Sequence, residues 1–187
     1  MTRTIVGLSG NLDRPSKTRT LVQTVVAAAA SEFQATGTVF DLADFGPSLG
    51  AARRIADLES PARAALEVVL SADALVVGSP VYKGSYTGLF KHLIDLIDPL
   101  ALAGKPVLLT ATGGGDRHAL VIEHQLRPLF GFFEARTLAT GLYASDRDFT
   151  NGQPTSPALL DRLGRAVGQL TLFFDRRAMP EVFLLGA

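Results

Sequence analysis

The stretch TIVGLSGNLDRPSKTRTL, residues 4–21, carries the strongest indication of the fold. Residues 4–8 form a short apolar run, typical of a buried strand, and Ser9, Gly10 and Asn11 interrupt it. A proline-containing turn follows, and from Leu21 the apolar residues recur at helical spacing. The stretch therefore predicts a strand, then a loop rich in hydroxyl and cationic side chains, then a helix.

The loop between this strand and helix has the composition of an anion site. Backbone N–H groups at a helix N-terminus lack partners within the helix, and the helix dipole favours a negative charge there. Ser16 and Thr18 can donate neutral hydrogen bonds, and Lys17 and Arg19 can donate charge-assisted ones. The same residues also suit a serine N-cap followed by solvated charges. The loop thus predicts either a phosphate site or an ordinary helix start.

Composition narrows the class of protein. The 187 residues suffice for one domain with a full core, and 47% hydrophobic with 19% charged residues is typical of a folded globular chain. The 18 basic and 18 acidic residues cancel, which argues against a general binder of nucleic acid or anionic membranes. Since there is no cysteine, disulfides, thiolate metal sites and a cysteine nucleophile are excluded. No signal segment or membrane-length apolar run is visible, so we expect a cytoplasmic protein.

Strand-like and helical patterns alternate five times along the chain. The further strands are predicted at 38–42, 74–78, 107–111 and 137–142. Helices are predicted at about 21–33, at 89–97, at about 117–133 and from Ser156 onward. A further helix is predicted after Ser60, with Ser60 as its N-cap and Pro61 as its first residue. Strand runs that are apolar on both faces suit a parallel sheet covered by helices on each side. We predict one doubly wound α/β domain over residues 1–187, with an apolar tail (182–185) packed on its own domain or a neighbouring subunit.

Ligands of open parallel sheets bind beyond the carboxyl ends of the strands, where the strand order reverses. This rule selects three loops, at 9–20, 79–87 and 112–117. In the second, Pro80 and the glycines hold backbone groups open and Tyr82 supplies a flat neighbour for a planar heterocycle, although an ordinary crossover loop has the same composition. In the third, three glycines allow close approach of a ligand to the backbone. Its match to a dinucleotide fingerprint fails, because His118 stands where the third glycine is required.

Taken together, the three loops resemble the NADPH-dependent FMN reductase family. The resembling residues are Ser9-Gly10 with Ser16 to Leu21, then Gly78 to Lys83 with Gly88 and Lys91, then Ala111 to Gly114. Arg127-Pro128 ahead of an apolar helix is similar to the branch that supplies reduced flavin to sulfonate monooxygenases. The resemblance implies a flavodoxin-like fold, FMN and NAD(P)H as ligands, no metal, and a flavin-dependent monooxygenase as partner. It also implies a homodimer, with helix 86–97 as one face, or a homotetramer.

The resemblance implies roles for individual residues. The FMN phosphate would lie near Ser9, Ser16, Thr18 and Arg19; the ring would lie between Pro80, Val81, Tyr82, Lys83 and Thr112, Gly113, Gly114. The whole predicted cofactor site is Ser9, Asn11, Ser16, Lys17, Thr18, Arg19, Pro80, Val81, Tyr82, Lys83, Thr112, Gly113, Gly114, Gly115 and Arg117. Arg117 either meets the 2′-phosphate of NADPH or is a solvated cation. No catalytic side chain is assigned, because hydride passes directly between stacked rings.

Pro128 departs from the helical pattern around it. It lacks the N–H that would pair with the His124 carbonyl and crowds that turn, at a cost of about 3 kcal/mol in a regular helix. Two readings remain: the helix widens or kinks over 124–128, or Pro128 begins a second helix. By resemblance, His124 stands where alkanesulfonate-type relatives have a tyrosine, and we hypothesise that it lies at a subunit interface close to flavin.

Four functions are weighed. The leading prediction is an NAD(P)H:FMN oxidoreductase that reduces FMN as a substrate and delivers FMNH2 to a monooxygenase. The alternatives are a quinone or azo reductase that retains its FMN, and a non-enzymatic carrier of flavodoxin type. Flavodoxins are typically acidic and monomeric, which fits a neutral chain with an apolar third helix poorly. A phosphatase on a similar loop requires the cysteine that the chain lacks.

Overall fold

The structure is a computed structural model that describes residues 2–174. The predicted packing of the apolar segment 182–185 lies outside the described residues. Over the described range, no helix combines the length and apolarity needed to cross a membrane.

A parallel sheet with the strand order β2-β1-β3-β4-β5 forms the centre of the fold, and β6 also pairs with β4. The strands are β1 (Thr4–Ser9), β2 (Thr36–Asp41), β3 (Ala74–Pro80), β4 (Pro106–Gly113), β5 (Arg136–Thr137) and β6 (Leu142–Ser145). A separate antiparallel pair joins β7 (Phe149–Thr150) to β8 (Gln153–Pro154). The strand order reverses at β1, which lies between β2 and β3, as in the flavodoxin-type order. The predicted doubly wound fold is confirmed.

The predicted fifth strand at 137–142 is wrong in one respect: it is two short strands. Pro106 pairs with Arg136 and Thr110 pairs with Leu142, so the edge strand carries two extra residues between the two pairings. The carbonyls released there are bound by arginines, since Arg127 donates to Leu138 (2.9 Å) and Arg162 donates to Gly141 (2.7 Å). Two of the carbonyls at the interruption are thus paired with side chains from other elements in place of a neighbouring strand.

Helices cover both faces of the sheet. They are α1 (Lys17–Phe33), α2 (Ser60–Ser71), α3 (Gly88–Asp95), α4 (Arg127–Phe132), α5 (Pro157–Gly168) and α6 (Thr171–Phe174). On one face, α1 and α5 bury Val25, Leu163 and their neighbours against Ile5 of β1. On the other, α2, α3 and α4 form a second core that includes Leu66 and Phe90. Burial on both faces explains why the central strands are apolar throughout.

The start of α2 differs from the prediction by one residue. Glu59 occupies the N-cap with extended backbone, and Ser60 and Pro61 are the first two helical residues. Ser60 therefore does not cap the helix; its hydroxyl instead accepts a hydrogen bond from Arg63 Nη2 at 3.1 Å. Proline is tolerated at either of these positions, because the first N–H groups have no partner in the helix.

The predicted helix at 117–133 is divided into three parts. A 3₁₀ turn at Asp116–His118 is followed by a π-helix at Ile122–Leu126 and then by α4. The Arg127 N–H donates to the Ile122 carbonyl, five residues back, which is the π-type spacing. Pro128 then lies in the first turn of α4, where its missing N–H costs little. The two readings, widening and a new helix at Pro128, therefore occur together.

Candidate functional site

The three predicted loops meet at the carboxyl edge of the sheet. Thr18 and Thr112 place their hydroxyl oxygens 2.6 Å apart, which joins the first loop to the third. The Thr87 hydroxyl donates to the Gly10 carbonyl (2.8 Å), and Val81 N–H donates to the Thr112 carbonyl (2.8 Å). Each loop is therefore bonded to the other two, so that the three loops meet at one edge of the sheet.

Helix α1 begins in the first loop with an N-cap. Ser16 has extended backbone, and its hydroxyl accepts a hydrogen bond from Arg19 N–H at 3.3 Å. Ser9 and Asn11 are buried beneath the loop: the Ser9 hydroxyl donates to Asn11 Oδ1 (2.6 Å), and Asn11 Nδ2 donates to the Asp13 carbonyl (3.0 Å). In the structure these two side chains hold the loop together, while Ser16 and its neighbours form the start of the helix.

Both predicted cations in the first loop face carboxylates. Lys17 Nζ lies 2.8 Å from Asp146 Oδ1. Arg19 Nη1 lies 3.0 Å from Asp41 Oδ2 but is not aligned for a hydrogen bond, and within residues 2–174 this buried nitrogen has no hydrogen-bond partner. Arg19 is thus a partly buried cation that is paired with Asp41 but whose Nη1 makes no hydrogen bond among the described residues.

Asp41 is a site residue that the sequence reasoning missed. It ends β2, has no exposed surface, and accepts hydrogen bonds from Arg14 Nη2 (2.6 Å) and Asn11 Nδ2 (3.2 Å). Burial opposes its ionisation, but the hydrogen bonds from Arg14 and Asn11 and the charge of Arg19 outweigh burial and lower the pKa of Asp41. Its position at the carboxyl end of a strand beside the order reversal was the available signal.

The second loop continues from Pro80 into a tight turn. Tyr82 N–H donates to the Ser85 carbonyl (2.8 Å), and Ser85 N–H donates to the Tyr82 carbonyl (3.1 Å). Lys83 and Gly84 occupy the tip with φ of 53° and 85°. Half of the Tyr82 surface is exposed. The turn therefore presents an aromatic face and a cation above the edge of the sheet.

The triple-glycine loop packs against Tyr143, a second residue that the sequence reasoning missed. A Cβ on Gly113 would lie 2.4 Å from the Tyr143 hydroxyl oxygen, so any larger residue here would force Tyr143 to move. The Tyr143 hydroxyl donates to the Gly115 carbonyl at 2.5 Å. Burial raises the pKa of Tyr143, and the carboxylates of Asp116 and Asp146 raise it further. Tyr143 is thus a neutral donor that fixes the glycine loop.

The π-helix borders the second and third loops. The Ser85 hydroxyl donates to Gln125 Oε1 at 3.0 Å, and an open cleft of about 290 Å³ runs between Gly84, Arg117 and the exposed His124. Arg117 Nε donates to His118 Nε2 at 3.3 Å. Among residues 2–174, no three histidine, cysteine, aspartate or glutamate side chains are grouped to hold a metal ion.

The hydroxyl-rich helix start, the proline-tyrosine turn and the glycine loop all lie within a part of the sequence that matches a known family. The model of the NADPH-dependent FMN reductase family matches residues 3–150. The chain belongs to this family. The predicted family and the predicted enzyme class, an NAD(P)H-dependent FMN reductase, are thereby confirmed.

Relatives agree with this assignment over nearly the whole chain. The chain is 45% identical to the NADH-dependent FMN reductase SfnF of Pseudomonas fluorescens, covering 94% of each chain. It is 47% identical to the FMN reductase (NADPH) of Pseudomonas aeruginosa, covering 93% of this chain and 94% of the relative. Among solved structures, the apo form of the NADH:FMN oxidoreductase EmoB superposes with a TM-score of 0.82 at 28% identity, covering 91% and 89% of the two chains.

Proposed function

We propose that this protein transfers hydride from NAD(P)H to FMN, with FMN as an exchangeable substrate, and releases FMNH2 to a flavin-dependent monooxygenase. Membership of the FMN reductase family and the bonding of three loops into one edge support the proposal. The resemblance to the sulfonate-utilisation branch supports a sulfonate monooxygenase as the acceptor. A single domain and a cytoplasmic location stay predictions.

The donors at the start of α1 fit the phosphate of FMN. Ser16 and Thr18 contribute hydroxyl groups, Lys17 contributes an ammonium group, and the buried Arg19 Nη1 is a charged donor with no hydrogen-bond partner in residues 2–174. A buried guanidinium nitrogen without a hydrogen bond is costly, and an anion at this place would satisfy it. We assign the phosphate to these residues, with Ser9 and Asn11 shaping the loop beneath them.

The remaining predicted residues frame the ring of FMN. We place Pro80, Val81, Tyr82 and Lys83 on one side and Thr112, Gly113, Gly114 and Gly115 on the other. Gly113 permits the close approach, and Tyr143 holds Gly115 in place. FMN, when bound, supplies the hydride acceptor; the protein orients the ring and excludes water, so no acid or base is required from the side chains. A role of Arg117 toward the 2′-phosphate of NADPH stays a prediction.

Assembly and the role of His124 are also part of this proposal. The face between α3 and α4 carries a cleft of about 480 Å³ and the exposed Phe132, which supports an apolar contact with a second copy in a homodimer or homotetramer. His124 is exposed on the π-helix beside the second and third loops, which supports the hypothesis that it lies near flavin at such an interface.

Steady-state oxidation of NADH and NADPH, with FMN, FAD and riboflavin titrated separately, tests the reaction. Saturable dependence on FMN with weak use of riboflavin is expected, because riboflavin lacks the phosphate that the first loop binds. Equal use of FMN and riboflavin would contradict the phosphate assignment. The colour of the purified protein separates the alternatives: retained yellow flavin favours a prosthetic group and an acceptor such as a quinone or azo compound.

A further inference from the structure

The loop after β6 places a carboxylate beside the start of α1. Asp146 Oδ1 lies 2.8 Å from Lys17 Nζ, and Lys17 is the first residue of that helix. Asp146 Oδ2 lies 3.9 Å from the position that a Cβ on Gly114 would take. The Asp146 carboxylate therefore stands between the hydroxyl-rich loop and the glycine loop, although Lys17 and Gly114 precede it by 129 and 32 positions in the sequence.

This carboxylate has the wrong sign for a site that binds a phosphate dianion. Helix starts favour negative charge, and α1 has no acidic residue in its own first turn. Asp146 supplies that negative charge from another loop. It forms an ion pair with Lys17, whose ammonium group is also proposed to bind the FMN phosphate. The pair is largely exposed, with 44% of the Lys17 side chain and 65% of the Asp146 side chain accessible. Exposed pairs of this kind contribute little to folding stability, so an incoming phosphate can displace the carboxylate at little cost to the fold.

We propose that Asp146 competes with the flavin phosphate for Lys17 and thereby lowers the affinity of the site for FMN. The inference rests on the proposed function and deepens it: Asp146 is a specificity-determining residue that makes the flavin exchangeable. The phosphate must displace the carboxylate from Lys17 to gain that ammonium group, and the carboxylate returns when flavin leaves. The ring contacts play no part in this competition, so Asp146 should not change the affinity for flavins that lack a phosphate.

Equilibrium binding of FMN and riboflavin to the purified, flavin-free protein, followed by quenching of flavin fluorescence, provides the test. Asp146→Asn is expected to lower the Kd for FMN about three- to ten-fold at low salt, because one negative charge near a dianion is removed. The Kd for riboflavin is expected to stay unchanged. Stopped-flow displacement should show slower release of FMN from the variant.

Asp161→Asn is the matched control. Asp161 is an exposed aspartate that pairs with Arg165 within α5, so its replacement makes the same change in net charge at a different surface. It is expected to leave both Kd values unchanged. In a Lys17→Gln background, Asp146→Asn should lower the Kd for FMN less than it does in the wild type. The reason is that the ammonium group for which carboxylate and phosphate compete is no longer present.

Three results would overturn the inference. The first is a Kd for FMN that is unchanged or higher in Asp146→Asn. The others are an equal fall in the Kd values for FMN and riboflavin, or an equal fall in the Kd for FMN caused by Asp161→Asn. Each leaves saturable FMN binding to the wild type, and with it the proposed function, intact. A folded wild-type protein that binds no FMN would overturn the proposed function itself, and the inference with it.

Discussion

The hydroxyl oxygen of Thr18 lies 2.6 Å from that of Thr112, although 94 positions separate the two residues. Both side chains are buried, one in the first turn of α1 and the other near the end of β4. One hydroxyl donates and the other accepts, so each has a partner, and the accepting hydroxyl keeps its own hydrogen for a further bond. This bond fixes the first loop relative to the glycine loop.

Replacing Thr18 by valine leaves the Thr112 hydroxyl buried without its partner. We expect the free energy of unfolding to fall by about 1–3 kcal/mol in Thr18→Val, measured by urea denaturation. The double variant with Thr112→Val should lose less than the sum of the two single variants, because both polar groups are removed together. Thr24→Val, which removes only a bond to Thr20 within α1, is the control with the smaller effect. Strictly additive losses would show that the two hydroxyls do not interact.

Gly113 and Gly114 form a matched pair for testing the glycine loop. Gly113→Ala places a Cβ 2.4 Å from the Tyr143 hydroxyl, so we expect a loss of about 1–3 kcal/mol in stability and weaker FMN binding. The nearest atom to a Cβ on Gly114 is 3.9 Å away, so Gly114→Ala should change stability little. Thermal unfolding and flavin titration measure both. Equal effects of the two alanines would refute the role given to Tyr143.

Acid should unfold the protein partly through Asp41. Its pKa is lowered in the folded state, so its stabilisation is fully present above its ordinary pKa of 3.8 and is lost as pH falls through the lower folded value. Asp41→Asn leaves Arg14 and Arg19 without this buried carboxylate, and we expect about 3 kcal/mol lower stability at pH 7. The difference from wild type should shrink below pH 3.8. Denaturant unfolding at pH 7 and pH 3 measures it, and a difference independent of pH would contradict the ionised state of Asp41.

Phe132 is 68% exposed and packs edge-on against Phe133 with ring centroids 5.3 Å apart. If the face between α3 and α4 is the subunit contact, Phe132→Asp should weaken it, because burying an unpaired charge costs free energy. The molar mass of the oligomer in solution should then fall. Light scattering after size exclusion measures the mass. Leu160→Asp, on the exposed side of α5, should leave it unchanged. An unaltered mass for Phe132→Asp would place the interface elsewhere.

His124→Ala tests the hypothesis about the π-helix. The side chain is exposed and lies beside the cleft with Gly84 and Arg117, so its loss should not destabilise the fold. We expect weaker FMN affinity, a changed oligomeric state, or both. His118→Ala, in the 3₁₀ turn on the same cleft, is the comparison. If flavin affinity and mass both stay at wild-type values in His124→Ala, the hypothesis fails.

Much of the fold was predictable because it depends on local patterns. Strand runs apolar on both faces indicate a covered parallel sheet, and Ser16 at a helix start with Thr18 and Arg19 behind it indicates donors for an anion. The split edge strand was not predictable, because its carbonyls are satisfied by Arg127 and Arg162 from other elements. The π-helix was foreseen only as one of two outcomes, since Pro128 alone is compatible with both.

The sequence by itself determined the alternation of strands and helices, the three loops at the carboxyl edge, and the hydroxyl and glycine chemistry that these loops carry. Only the tertiary structure decided the charge balance of the site, in which Asp41 faces Arg19 and Asp146 faces Lys17. The physical reason is that electrostatic interactions depend on distance in space, and a carboxylate 129 positions away acts on a lysine as strongly as a neighbour does once the chain is folded.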